Sequence, residues 1–402
     1  MNSQPPSCAT LAGISGQRLL TPTGLTSGQL TFHDGRVAEA GAPPPAAGAT
    51  WLNADHLLVL PGIIDLHGDA FERAIMPRPG VTFPYDAALH DVDRQLLANG
   101  ITTEFHGVTV SWEGGLRGEP YAERMFESLE RMQARAALGA RHHVHLRFET
   151  HHINGVEIAQ QWIRAGRVQF LALNDHLPSM ARRLGDDRKL LQYADRAECD
   201  LDTFQARIRL ALSSADDVAD AMRELTLCAR AAGLSVASHD DPDAATRRYY
   251  HQLGCRIAEF PLTSDVARLA HDLGDVTVFG APNVVRGGSH TNAPNATDMV
   301  RAGLCDILTS DYYYPAPLAA ALRLAEQGIL PLEHAWRLVS ANPARAAGLS
   351  DRGSLTAGQA ADAIIVDDSV AGLPRVCAAI VGGVLRYATR NFDTHQAQCL
   401  AA

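Results

Sequence analysis

The chain has 402 residues, 46% hydrophobic and 20% charged, enough length and apolar content for one large domain with a smaller companion. A net charge of −10 argues against a nucleic-acid partner, which needs a basic face, though a metal ion and a few arginines can still hold an anionic substrate. No apolar run approaches a membrane span, so no membrane partner is expected. Seven scattered cysteines without a CxxC pair, and no evident signal peptide, point to reduced thiols in a cytoplasmic protein. Oligomeric state leaves no mark, and a homo-oligomer stays open.

In chain order, residues 17–59 read as short strands and turns. Gly28–His33 and Arg36–Ala40 flank Asp34-Gly35, a two-residue hairpin signal, and the Pro/Ala-rich stretch 41–48 reads as a surface loop. Apolar runs then alternate with helical stretches, as parallel strands with crossover helices require. Eight runs stand out: Leu60–His67, Ile101–Val108, His143–Glu149, Val168–Asp175, Leu234–Asp240, Arg256–Phe260, Val276–Ala281 and Asp306–Asp311. Between them Asp86–Asn99, Ala215–Ala231 and Pro315–Ala325 have helical character, with Gly100 and Gly233 placed to end helices. Eight such units predict an α/β fold, a (β/α)₈ TIM barrel. The far end returns to strands at Ala363–Val366 and on either side of Gly382-Gly383. Residues 1–59 and 350–402 are therefore expected to form a small β-sandwich domain from both termini, with 60–349 as the barrel.

The ends of the runs carry the chemistry. The first ends in His67 and, two residues on, Asp69; i and i+2 of an extended chain project to one side. The second carries His106, and the third ends Arg147-Phe-Glu149. The fourth ends Asn174-Asp-His176, the fifth Ser238-His-Asp-Asp241, and the eighth Ser310-Asp311. A lone strand-end histidine is more often hydrogen-bonded to backbone. Five sites on one rim of a barrel, where barrel active sites lie, read as a metal centre instead. Imidazole and carboxylate without cysteine suit a divalent ion, Zn²⁺ before Mn²⁺ or Fe²⁺, with one or two per chain. Asp240 and Asp241 either orient His239 or cap a loop.

An anion site is expected at Val285–His290, reading Val-Arg-Gly-Gly-Ser-His. Gly287 and Gly288 can turn backbone N–H groups toward phosphate oxygens, Arg286 can bind them bidentately, and His290 closes the motif. Without the metal rim beside it, a Gly-Gly pair is usually only a turn. Arg73 and Arg78 are further phosphate candidates, and His106 is a candidate substrate contact.

Pro61–His67, the later strand-end histidines and Ser310-Asp311, together with Ser340–Gly348 and Gly353–Val366, resemble the amidohydrolase superfamily over essentially the whole chain. Within it, His67-Gly-Asp69, Met76–Gly80, Ser238–Asp241, Ile257–Pro261, Gly280–His290 and Ser310–Tyr313 resemble the diphosphatase branch of phosphonate degradation, the C–P lyase pathway. Gly68, Ala70 and Phe71 depart from the threonine, asparagine and leucine expected there. The resemblance implies a metal-dependent hydrolase that releases diphosphate from a ribose 5-triphosphate bearing a 1-phosphonate, a small anionic substrate. It also implies His67, Asp69 and Asp311 on one metal, His176 and His239 on a second, and Asp311 as general base. Many superfamily members bridge two metals with a carbamylated lysine. The one lysine here, Lys189, lies in a polar Arg/Asp-rich stretch. Glu149 is the expected bridge instead, unless it pairs with Arg147 on the same face. An amide or ring C–N hydrolase or deaminase is the alternative activity, and an inactive binding protein on the same scaffold is a second.

Overall fold

The computed structural model describes residues 10–38, 50–78, 80–289, 293–389 and, for backbone alone, 394–396. The 41–48 loop and His290 lie outside the described residues.

Eight parallel strands form one sheet with neighbours in strict chain order: β1 (Ile63–Gly68), β2 (Ile101–Val110), β3 (Arg141–Glu149), β4 (Phe170–Asn174), β5 (Ser235–His239), β6 (Ile257–Glu259), β7 (Val276–Gly280) and β8 (Ile307–Thr309). A bridge between Gly68 and Asp311 joins the last strand end to the first and closes the barrel. Each expected run overlaps one of these strands, because a strand covered by helices outside and packed inside is apolar on both faces. Ile64, Leu66, Phe105, Phe170, Ile257 and Val278 fill the barrel floor. The three expected helices are Tyr85–Ala98, Val218–Ala231 and Ala316–Glu326, and Gly100 (φ 80°) and Gly233 (φ 78°) take the left-handed turn that ends the first two.

The first run is two strands. Leu58–Pro61 pairs with Ala363–Val366 of the second sheet, and the chain enters the barrel only at Ile63. Gly62 makes the crossing possible, since a Cβ there would collide with the Thr102 side chain. The second sheet is a single mixed one of nine strands drawn from both ends of the chain. It bends round its own core of Leu11, Ile14, Phe32, Leu52, Val59 and Ile365, so the expected sandwich is one continuous hydrogen-bonded sheet. Both hairpins form where the turn residues place them, with Asp34 and Gly35, and Gly382 and Gly383, all at positive φ. The β4–β5 connection carries three additional helices with a core of their own, around Leu177, Leu190 and Phe204. Among the described residues, no helix is long and apolar enough to cross a membrane, and Cys199, Cys228, Cys255, Cys305 and Cys377 are free thiols.

Candidate active site

Three residues other than glycine adopt positive φ where barrel strands end: Asp240 (57°) after β5, Phe260 (52°) after β6 and Asp311 (56°) after β8. Such backbone costs energy that surrounding contacts must hold, and it gathers at functional sites. All three line a cavity of about 290 Å³ at the C-terminal mouth of the barrel, together with His67, Arg147 and His239. A larger cavity, about 640 Å³, lies against helix Tyr85–Ala98 and lacks the histidines. The chemistry is at the smaller one.

One half of this mouth is built by barrel closure. Asp311 N–H donates to His67 O and Asp69 N–H to Asp311 O, both at 2.9 Å. His67, Asp69 and Asp311 are thereby held side by side, with ligand atoms within 4.8 Å of one another. Below them the buried Asp65 carboxylate accepts from Ser310 N–H (3.0 Å) and from the Thr309 hydroxyl, which itself accepts from His67 N–H (2.9 Å). Burial, and then the neighbouring Asp69 carboxylate, push Asp311 up to about 7. Burial, and then the charges of Arg147 and His239, hold His67 well below the usual histidine range, so its ring is neutral and fit to ligate.

The other half is built from side chains on β3, β4 and β5. His176, at the N-cap of helix Leu177–Ala181, and His239, ending β5, converge with Asp240 within 4.8 Å. Asp240 Oδ2 lies 3.4 Å from His239 Nδ1 and 3.6 Å from His176 Nε2. Glu149 is buried behind His176 and accepts from its Nδ1 and from its N–H (3.2 Å). Burial disfavours a charged His176, but Glu149 and Asp240 outweigh it and lift the imidazole to about 9. A metal ion taking Nε2 displaces that proton.

Both oxygens of Glu149, the expected bridge, face His176. The carboxylate does not pair with Arg147. That guanidinium turns instead to Asp69 Oδ2 (Nη1, 3.5 Å) and His239 Nε2 (Nη2, 3.2 Å). Of the two aspartates after His239, Asp240 faces the histidines, whereas Asp241 is buried in an ion pair with Arg247 (3.0 Å). Lys189 is exposed on Asp186 (3.1 Å), remote from any bridging role.

Glu259, ending β6, is a site residue that the strand-end reading missed. Fully buried, it places Oε2 3.1 Å from His67 Nδ1 and forms a third candidate ligand group with His67 and His239. It fixes the His67 tautomer, leaving Nε2 free. Its Oε1 has no hydrogen-bond partner. The signal was present: Glu259 is the carboxylate at the end of an apolar run already counted as a strand.

The anion candidates fare unequally. Gly287 N–H (3.1 Å) and Gly288 N–H (3.0 Å) both donate to Asn283 O. Gly287, at φ 80°, thus closes helix Ala281–Arg286, and the pair does not present free N–H groups to a phosphate. Arg286 is exposed, with Nη1 3.5 Å from the Tyr312 hydroxyl, and Arg73 donates to the Tyr312 carbonyl. Two arginines therefore meet on the residue after Asp311. Arg78 is exposed at a short bridge with Val81. His106 is not brought to the mouth. It is buried against Phe71 and donates to or accepts from His142 (2.8 Å), which pairs with Asp93 of helix Tyr85–Ala98 (3.0 Å).

Imidazoles and carboxylates in three overlapping groups, with an orphaned buried carboxylate oxygen among them, fit a divalent metal ion. The sequence model described as "Amidohydrolase family" matches residues 58–392. The chain belongs to the amidohydrolase family. Membership makes it a hydrolase of a metal-dependent family. It is 33% identical over 363 residues to alpha-D-ribose 1-methylphosphonate 5-triphosphate diphosphatase of Escherichia coli (strain K12), covering 88% of this chain and 94% of that protein. Solved structures of the same fold include molinate hydrolase, at 13% identity and TM-score 0.63, covering 93% of this chain and 94% of the other. Another is 5-methylcytosine deaminase from Klebsiella pneumoniae, at 17% identity and TM-score 0.59, covering 94% and 98%. At such identities these two speak for the fold alone.

Proposed function

We propose that this amidohydrolase cleaves a phosphoanhydride of a ribosyl 5-triphosphate carrying a 1-phosphonate, releasing diphosphate. The observation that carries the reading is that Arg73, which lines the neighbouring cavity, and Arg286 both reach Tyr312, the residue after Asp311, so that an acidic chain carries two guanidiniums close in sequence and contact to its candidate base. The diphosphatase relative supports the same substrate class.

His67, Asp69 and Asp311 on one side, and His176 and His239 on the other, are the residues to hold metal. A divalent ion there, Zn²⁺ by preference, supplies Lewis-acid polarisation and lowers the pKa of water. Asp311 takes the proton from the attacking water as its oxygen bonds to phosphorus. The P–O anhydride bond breaks on the far side and diphosphate departs, leaving the ribose 5-phosphate with its 1-phosphonate intact. Arg286 and Arg73 offset the charge that accumulates on the departing group. Glu149 and Glu259 keep His176 and His67 in one tautomer and orientation.

The deciding experiment incubates metal-loaded protein with ribosyl and nucleoside triphosphates and assays diphosphate, with ammonia release from cytosines and carboxylate release from dipeptides run in parallel. Diphosphate alone is the expected result. Ammonia or carboxylate in its place overturns the phosphoanhydride reading in favour of C–N hydrolysis. No turnover, with less than one metal per chain after supplementation, favours an inactive binding protein.

A further inference from the structure

We infer that Arg147 takes the place of a second metal ion, so that the mouth holds one divalent cation and one guanidinium. Its premise is the metal-binding rim proposed above.

Arg147 projects from β3 into the catalytic cavity with its side chain only 6% exposed. Its two terminal nitrogens span the halves of the site, reaching Asp69 on one side and the His239 ring nitrogen on the other. The guanidinium engages His239 Nε2, while His239 Nδ1 has no hydrogen-bond partner and lies 3.4 Å from Asp240 Oδ2. A cation taking His239 Nε2 would have to displace Arg147, and one taking Nδ1 would stand across a single imidazole from the fixed positive charge of the guanidinium.

The position is built for the arginine. With the Asn174 amide oxygen turned toward it, Arg147 donates to that oxygen from Nη2 (3.2 Å) and Nε (3.3 Å). Gly107 on β2 leaves room for the stem, since a Cβ there would come within 3.1 Å of Arg147 Cδ. A buried guanidinium held on three sides is costly to move and strongly oriented.

A second observation points the same way. Two metal ions a few ångströms apart need an anion between them to offset their repulsion. Lys189 is far too exposed to serve as a carbamate, and both Glu149 oxygens are spent on His176. Among the described residues, the candidate groups are His67, Asp69 and Asp311 on one side, His176, His239 and Asp240 on the other, and His67, His239 and Glu259 across them, with Glu259 Oε2 already engaged by His67 Nδ1 and Oε1 without a hydrogen-bond partner. We place the single ion on the first group. Arg147 stands over the second, where it can meet a phosphoryl oxygen with the two donors it now gives to Asp69 and His239.

The test is metal content by elemental analysis of full-length protein saturated with Zn²⁺ or Mn²⁺ and desalted, paired with electron paramagnetic resonance of the Mn²⁺ form. The wild type is expected to retain about one equivalent and an isolated Mn²⁺ signal, and Arg147→Met to rise to about two with a spin-coupled signal. Arg147→Lys, which keeps the charge, should stay near one. About two tight equivalents in the wild type overturn the inference whatever the variants do, and so does Arg147→Met remaining at one with an unchanged melting curve. A wild type that retains none sinks the metal centre itself, a failure distinguishable from the other two.

Discussion

The two halves of the catalytic mouth reach similar chemistry by different construction. On the β1–β8 side, backbone hydrogen bonds that close the barrel also set His67, Asp69 and Asp311, so the ligand geometry is as stable as the barrel. On the β3–β5 side, His176 sits on a loop-borne helix cap and depends on Glu149 to aim it. The first half is a consequence of topology. The second rests on side-chain hydrogen bonds and should yield to milder changes. A metal site whose one half is preorganised by backbone loses little entropy there on binding, while the other half must be held by its supporting carboxylate.

Asp311→Asn should break the first half most severely. Asparagine tolerates the left-handed backbone at this position, so the fold is expected to survive. It cannot take a proton, and turnover should fall roughly 10²–10⁴-fold at an unchanged melting temperature. Steady-state rates and thermal melts on the same preparation check this, and near-normal turnover would remove Asp311 as the base.

Glu149→Gln should distinguish the halves. With the ion on the β1–β8 ligands and Glu149 orienting only His176, metal affinity should stay near the wild-type value, whereas a roughly 10–100-fold loss would put an ion on His176. Competition titration with a metal chelator reads this directly. A complete loss of binding would return Glu149 to the role of a direct ligand.

The smallest effect lies below both halves, at the barrel floor. His143 stacks on Phe105, and burial, then Arg352, push it down to about 4. A histidine with a lowered folded pKa is protonated more readily in the unfolded chain, so stability falls as pH drops from about 6.5 toward 4. His143 alone should cost about 1 kcal/mol between pH 6.5 and 5.5. His143→Leu should flatten that part of the acid limb by the same amount in denaturant titrations, without altering metal affinity. An unchanged limb would mean that His143 does not carry it.

How much was legible differs by kind of residue. His67, Asp69, His239 and Asp311 were readable because each ends an apolar run, and strand ends of a barrel share one rim. Glu259 follows the same rule and was overlooked because its run was read one residue too far, to the apolar Phe260, whereas the strand ends at Glu259. The partners of Glu149 and Arg147 were not readable. Alternation puts both on one face, but which neighbour each reaches depends on the distance from β3 to β4 and β5. His106 was misplaced for a related reason, since position on a strand does not reveal whether a side chain meets the cavity or the helix layer. Gly287-Gly288 was ambiguous in the same way: consecutive glycines suit an anion cradle and a helix end alike, and the Asn283 carbonyl took their N–H groups.

The sequence by itself determined the barrel, its eight strands, the hairpin turns of the terminal sheet and the ring of metal-type residues. Those follow from local periodicity, turn chemistry and the burial that parallel strands demand. Only the tertiary structure decided that the first apolar run divides at Gly62 between two sheets, that Glu149 serves His176, and that Arg147 stands between Asp69 and His239. Each of these depends on which side chain arrives first at a shared point in space. Distances between non-adjacent strands settle that competition, and they are properties of the closed barrel.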